Sequence, residues 1–244
     1  MYPVIYKIGL FTIYSFGVML ALAVVVCTFL LSRDMQKTLG ISSEKVFDFV
    51  FWVVISGIVG ARLFYVILNL GYFVEHPAEL VMVQKGGLAW QGSLLAGFVV
   101  SVWYIRRHKW SVSSFLDVVA PYIALGQAIG RIGCFLNGCC YGKPFPGGLF
   151  FPVHNAVLHP TQLYDALGLL LIFFILKKYQ KIFKIPGQIF LLYLFLASAQ
   201  RFIIEFFRGD HELWGPLSIF QWISLVIMTI TWYASTYLQS RREK

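Results

Sequence analysis

The sequence predicts an all-α integral membrane protein with seven transmembrane helices, the N-terminus extracytoplasmic and the C-terminus cytoplasmic. Three observations predict it. Hydrophobic residues fill 59% of the 244 positions and charged residues only 13%, whereas roughly a quarter of a soluble domain is charged. The apolar residues recur along the whole chain in runs near the ~20 residues that cross a bilayer. The basic residues fall mainly between those runs. Seven crossings consume roughly 140 positions. No large soluble domain fits beside them, and residues 1–244 are expected to form a single polytopic membrane domain.

The first span is expected at about 9–31. Lys7 ahead of an apolar run imitates a secretory signal, but no polar cleavage region follows and many further spans do. The second span, about 47–68, carries Arg62 and Tyr65 on one helical face with Asn69 just beyond. The third, about 88–105, has Gly86, Gly87, Gly92, Gly97 and polar Gln91, a composition suited to a broken or re-entrant helix lining a cavity. Ahead of it, His76 to Val83 is short and amphipathic and reads as an interfacial helix.

The fourth span, about 114–136, places Gly126, Gly130 and Gly133 at spacings that permit close helix contact. A glycine-punctuated loop follows, Asn137 to Gly142, whose backbone N–H groups suit an anion. The glycines and prolines of 143–160 permit a mobile outer loop. His159-Pro160-Thr161 marks the start of the fifth span, about 162–176, with Tyr164 and Asp165 in its first turns. The last two spans are expected at about 187–207 and 217–238.

A net charge of +9 would suggest nucleic acid in a soluble protein. Here the basic residues cluster as Arg33, Lys37 and Lys45; Arg106, Arg107 and Lys109; Lys177, Lys178, Lys181 and Lys184; and Arg241, Arg242 and Lys244. These alternate ends of successive spans follow the positive-inside pattern, so nucleic acid is excluded as a partner and the loops around 69–87, 137–161 and 208–216 face outward.

Charge inside a span costs at least about 3 kcal/mol unless it is paired or faces a polar cavity. Arg131 and Cys134 share one helical face near the outer end of the fourth span, and Arg201, Glu205 and Arg208 share one at the end of the sixth. One glutamate cannot neutralise three arginines. An anionic ligand is expected, and in a membrane the abundant candidate is a lipid phosphate, which a guanidinium holds with two parallel hydrogen bonds. Arg62 is a further candidate contact. The four cysteines are Cys27, Cys134, Cys139 and Cys140. Free thiols, a strained vicinal disulfide and a metal site with His154 or His159 are all open, although the spacing matches no closed zinc site. No cofactor and no metal are expected.

Gly130-Arg131-Ile132-Gly133-Cys134-Phe135-Leu136-Asn137-Gly138, ending at Gly142, resembles the signature of the bacterial prolipoprotein diacylglyceryl transferase family. Gly86 to Gly92, His159 to Tyr164 and Arg201 to Arg208 resemble further family segments in the family's order, so the likeness covers essentially the whole chain. The resemblance implies a seven-span inner-membrane enzyme that moves the diacylglyceryl group of phosphatidylglycerol onto the lipobox cysteine thiol of a preprolipoprotein, releasing glycerol-1-phosphate. It implies Arg131 and Arg201 as the essential arginines, Asn137 and Gly142 as signature-loop residues, and Glu205 and Arg208 as support for Arg201.

Five positions depart from the family pattern. Gln91 stands for a histidine, Cys134 for an asparagine, Cys139 for an acidic residue, and Phe16 and Ala197 for tyrosines. A glutamine hydrogen-bonds but is no general base near neutral pH. Electrostatic catalysis by the arginines tolerates that change. A required protein base would instead make the chain a paralogue with another lipid or acceptor. Two further alternatives are a small transporter of anionic lipid and a two-step transfer through Cys139 or Cys140 as nucleophile.

Overall fold

The computed structural model describes residues 1–8, 11–82, 86–209 and 213–240. Lys85 and the basic tail Arg241, Arg242 and Lys244 lie outside the described residues. The long helices are α1 (Ser15–Leu39), α2 (Ser43–Leu68), α4 (Trp90–Arg107), α5 (Val112–Asn137), α6 (Thr161–Tyr179), α7 (Gln188–Glu205) and α8 (Ile219–Ser240), with a short α3 (Leu70–Glu75) after α2. Five of them, α1, α2, α5, α7 and α8, are long and apolar enough to cross a membrane. The chain is a predominantly α-helical, multi-pass membrane protein.

The helices differ from expectation where short strands compete. α1 begins at Ser15 rather than near residue 9, because β1 (Val4–Ile8) and β2 (Phe11–Tyr14) form an antiparallel hairpin rich in β-branched and aromatic residues. The Ser15 N–H donates to Pro3 O (3.0 Å), and the Tyr2 N–H donates to Leu136 O (3.0 Å), so the hairpin is tied to the end of α5. The expected open loop at 143–160 contains a second hairpin, β3 (Pro144–Phe151) with β4 (Ala156–Leu158). A third is formed by β5 (Leu213–Trp214) and β6 (Leu217–Ser218).

The described residues cluster into two compact units, Ser32–Phe115 and the remainder. In the first, α4 runs unbroken from Trp90, correcting the broken-helix expectation. Two of the interrupting glycines, Gly86 and Gly87, precede the helix with left-handed φ of 85° and 76°. Gly92 instead serves packing, since a Cβ there would lie 2.2 Å from Gly60 O and 2.4 Å from Phe64 Cβ. Backbone meets backbone where α2 crosses α4, as small residues allow in membranes. Gly92→Ala is therefore expected to destabilise this pair by about 1–3 kcal/mol, read as a lower unfolding temperature in detergent with secondary structure retained. In place of the interfacial helix expected from His76 to Val83 there is a short 3-10 turn at Pro77–Val81, which follows α3, and Val83 lies outside the described residues.

In the second unit a core of Ala120, Ala124, Ile172, Leu176, Ile189 and Tyr193 binds α5, α6 and α7. Gly187, at φ 100°, turns the chain into α7. The Asp117 carboxylate accepts the N–H groups of Gly187 (2.6 Å) and Phe190 (2.9 Å) at the helix start, where orphan donors need a partner. Gly133 faces α1, because a Cβ there would lie 3.0 Å from Met19 Cβ, and Gly126 faces Cys27 at 3.5 Å. Gly130 meets nothing within 4 Å. It opens onto the cavity described next.

Candidate active site

A cavity of about 460 Å³ lies among α1, α5, α6, α7 and α8. Its apolar lining includes Phe16, Leu169, Leu194, Ala197, Phe220 and Ile223, and its ionic lining consists of Arg131, Asp165 and Arg201. Arg131 Nε lies 3.3 Å from Asp165 Oδ2, and Arg201 Nη2 lies 2.9 Å from Glu205 Oε2. The carboxylate side chains are 6% and 2% exposed while the arginines are 28% and 24% exposed. Each guanidinium is thus anchored by a buried carboxylate and keeps access to the cavity. The face of Phe220, 4.9 Å from the Arg201 guanidinium carbon, adds a cation–π contact. Arg208, buried, is the additional cation, and Arg208, Asp165 and Arg131 all act electrostatically on Arg201.

The sequence marks Asp165 only as part of a helix start. The structure makes it the partner of Arg131, positioned by Gln200, whose Nε2 donates to Asp165 O (2.9 Å) and Oδ1 (3.3 Å). Gly168 leaves room for that glutamine, since a Cβ there would meet its amide carbon at 2.7 Å. The available signal is a carboxylate inside an apolar run, which must find a partner.

The signature loop is built by the end of α5. Gly138, at φ 76°, donates its N–H to Phe135 O (3.1 Å), and the Cys139 N–H donates to Cys134 O (3.2 Å), a Schellman termination just after half-buried Asn137. The Thr161 hydroxyl donates to Cys140 O (2.8 Å), and the fully buried Gln162 donates Nε2 to Cys139 O (2.6 Å). Gly142 donates its N–H to His159 O (2.9 Å) and bridges to Arg208, while the Lys143 N–H donates to Phe207 O (2.8 Å). The loop is therefore clamped between the start of α6 and the end of α7. His159 stacks on Phe145 with centroids 4.2 Å apart, and its Nδ1 lies 3.3 Å from the Tyr164 hydroxyl, as suits a packed structural histidine.

Cys134, Cys139 and Cys140 converge, with all three sulfurs within 4.8 Å of one another, and all are free thiols. Hydrogen bonds from Cys134 and then Cys139, with the positive fields of Arg208 and Arg131, hold the Cys140 thiol far below the usual thiol range, against the opposing effect of burial.

Arg62 and Gln91 belong to the 32–115 unit. Arg62 is 8% exposed and donates to the carbonyls of Leu80 (2.9 Å), Gly86 (2.8 Å), Gly87 (2.9 Å) and Glu79. Its guanidinium also packs over Phe73 and Tyr65, so it fastens those backbone segments together. Gln91 is exposed in the first turn of α4. Of the departures from the family pattern, Phe16, Cys134 and Ala197 all line the arginine cavity.

A family model described as prolipoprotein diacylglyceryl transferase matches residues 3–237. The chain belongs to this family. Among curated members of the prolipoprotein diacylglyceryl transferases, the phosphatidylglycerol–prolipoprotein diacylglyceryl transferase of Clostridium tetani is 34% identical over 238 residues, covering 94% of this chain and 95% of its own length. The proteins of the same name from Thermosynechococcus vestitus and Acaryochloris marina are each 35% identical, covering 92% and 97% of this chain and 88% and 90% of their own lengths. The transferase likeness thus spans both compact units and includes Arg131, Arg201 and the clamped loop.

Proposed function

We propose that this chain is a multi-pass enzyme of the bacterial cytoplasmic membrane that transfers the diacylglyceryl group of phosphatidylglycerol to the lipobox cysteine thiol of preprolipoproteins, releasing glycerol-1-phosphate. The observation that carries this reading is one cavity with apolar walls and two carboxylate-anchored arginines, which matches a ligand with acyl chains and a phosphate.

In the proposed step the acceptor sulfur attacks the glycerol carbon that bears the phosphate. A C–S bond forms, the C–O bond breaks, and the electron pair leaves on the phosphate oxygen. Arg131 and Arg201 neutralise that growing charge. The thiol proton passes to water or to a phosphate oxygen, so no protein base and no cofactor is required. Glu205 holds Arg201, Arg208 adds further positive charge for the leaving phosphate, and Asn137 and Gly142 shape the loop beside the leaving group.

The membrane arrangement is seven crossings in a single polytopic domain, with α4 and α6 added to the five helices that are long and apolar enough to cross a membrane. Leu94 and Phe98 on α4 are each 65% exposed, and Leu167 and Phe174 on α6 are 67% and 60% exposed, which suits contact with lipid chains. The basic residues at the ends of α1, α4 and α6 support a cytoplasmic C-terminus and an outward-facing site.

Mass spectrometry of a lipobox peptide incubated with the purified protein and phosphatidylglycerol vesicles tests this reading. A mass increase of one diacylglyceryl group on the cysteine is expected. Unmodified peptide with phosphatidylglycerol, together with movement of intact anionic lipid across vesicles, would favour the transporter instead.

A further inference from the structure

We infer that Cys134, Cys139 and Cys140 form a three-sulfur binding site for a thiophilic metal ion, of the class represented by copper(I). All three sulfurs lie within 4.8 Å of one another. A metal–sulfur bond of about 2.3 Å places three trigonal ligands about 4 Å apart, so small side-chain rotations close the site.

The backbone is held in the conformation that brings the thiols together. Cys140 occupies the left-handed region at φ 60°, which costs a residue with a side chain on the order of 1 kcal/mol. The hydrogen bonds from Gln162 and Thr161 to the carbonyls of Cys139 and Cys140 retain it there. Such local strain persists only where the surrounding structure enforces it.

The ligand set selects the ion. Among the described residues no carboxylate or imidazole joins the three sulfurs. His154 Nε2 is engaged with Gly138 O at 2.9 Å, and its ring packs against Tyr141. Three sulfurs without a fourth ligand suit a soft ion that accepts trigonal coordination better than zinc, which takes four ligands. Metal binding displaces the thiol protons to solvent, and Arg131 and Arg208, whose fields reach Cys140, balance the anionic complex. A disulfide fits less well. The adjacent Cys139 and Cys140 have Cα atoms about 3.8 Å apart, closer than the ~4.4 Å lower limit of ordinary disulfides, and any pair leaves the third sulfur over.

The test is anaerobic copper(I) titration of the reduced full-length protein against a copper(I) chelator, followed by X-ray absorption. One ion per chain with a shell of three sulfurs is expected. Cys134→Ser, Cys139→Ser and Cys140→Ser should each weaken retention at least about tenfold, and Cys27→Ser should not. Absence of stoichiometric copper, undiminished retention by the triple variant, or a nitrogen and oxygen shell would overturn the site. So would a disulfide among the three cysteines in protein isolated without reductant. If the serine variants fail to fold, the sulfur count of the native protein alone decides. None of these readouts depends on lipid transfer.

Discussion

Arg201→Gln is expected to lower diacylglyceryl transfer at least about a hundredfold, corresponding to about 3 kcal/mol of lost transition-state stabilisation. Glutamine keeps the reach and some hydrogen bonding but loses the charge proposed to meet the departing phosphate. The side chain is 24% exposed at the cavity, so it is accessible to substrate, while Glu205 behind it is 2% exposed. Removing one partner of a buried ion pair also costs about 3–5 kcal/mol, so the single variant is expected to be less stable. Arg201→Gln combined with Glu205→Gln removes both charges and separates the two effects. Its unfolding temperature should recover toward that of the native protein, helped by the Ser218 hydroxyl, which donates to Glu205 Oε1 at 2.8 Å in the native protein. Transfer should stay lost. A double variant with native turnover would remove Arg201 from the mechanism.

Gly142→Ala is expected to damage both stability and transfer although it alters no charge. A Cβ at this position would lie 2.5 Å from Phe207 O, 2.6 Å from His159 Cβ and 2.8 Å from Thr161 Cγ2. The first is backbone and the second is fixed to it, so neither can swing away. Relief requires separating the loop from residues 159–161 on one side and from 207–208 on the other, which breaks the hydrogen bonds of Gly142 to His159 and of Lys143 to Phe207. Overpacking of this kind costs about 1–3 kcal/mol. Because Arg208 bridges to Gly142, the displacement also reaches the cation next to Arg201. A clear fall in unfolding temperature and in transfer rate is expected together. An alanine variant with native values of both would show that the junction is looser than its geometry.

Much of the fold was legible because membrane helices are encoded locally. Apolar runs of spanning length sit where the seven long helices are found, and the basic clusters sit at their ends. The errors came from tertiary contacts. Residues 4–8 and 11–14 are apolar enough to extend a span, but strand pairing and the tie to Leu136 make them a hairpin. Gly92 reads as a helix breaker by composition, yet it is where α4 touches Gly60 of α2. Propensity describes an isolated segment, and packing against a neighbour overrides it.

By itself the sequence determined the membrane class, the placement of the helices, and the prominence of Arg131, Arg201 and Glu205, since a charge within an apolar run is costly wherever the chain goes. The Arg201–Glu205 pair was also readable, because positions four apart meet on a helix. Only the tertiary structure joined Asp165 to Arg131, gathered Cys134 with Cys139 and Cys140, and showed why position 142 admits no side chain. Those contacts link separate helices and loops, and their geometry depends on helix crossing and loop clamping, which no local periodicity records.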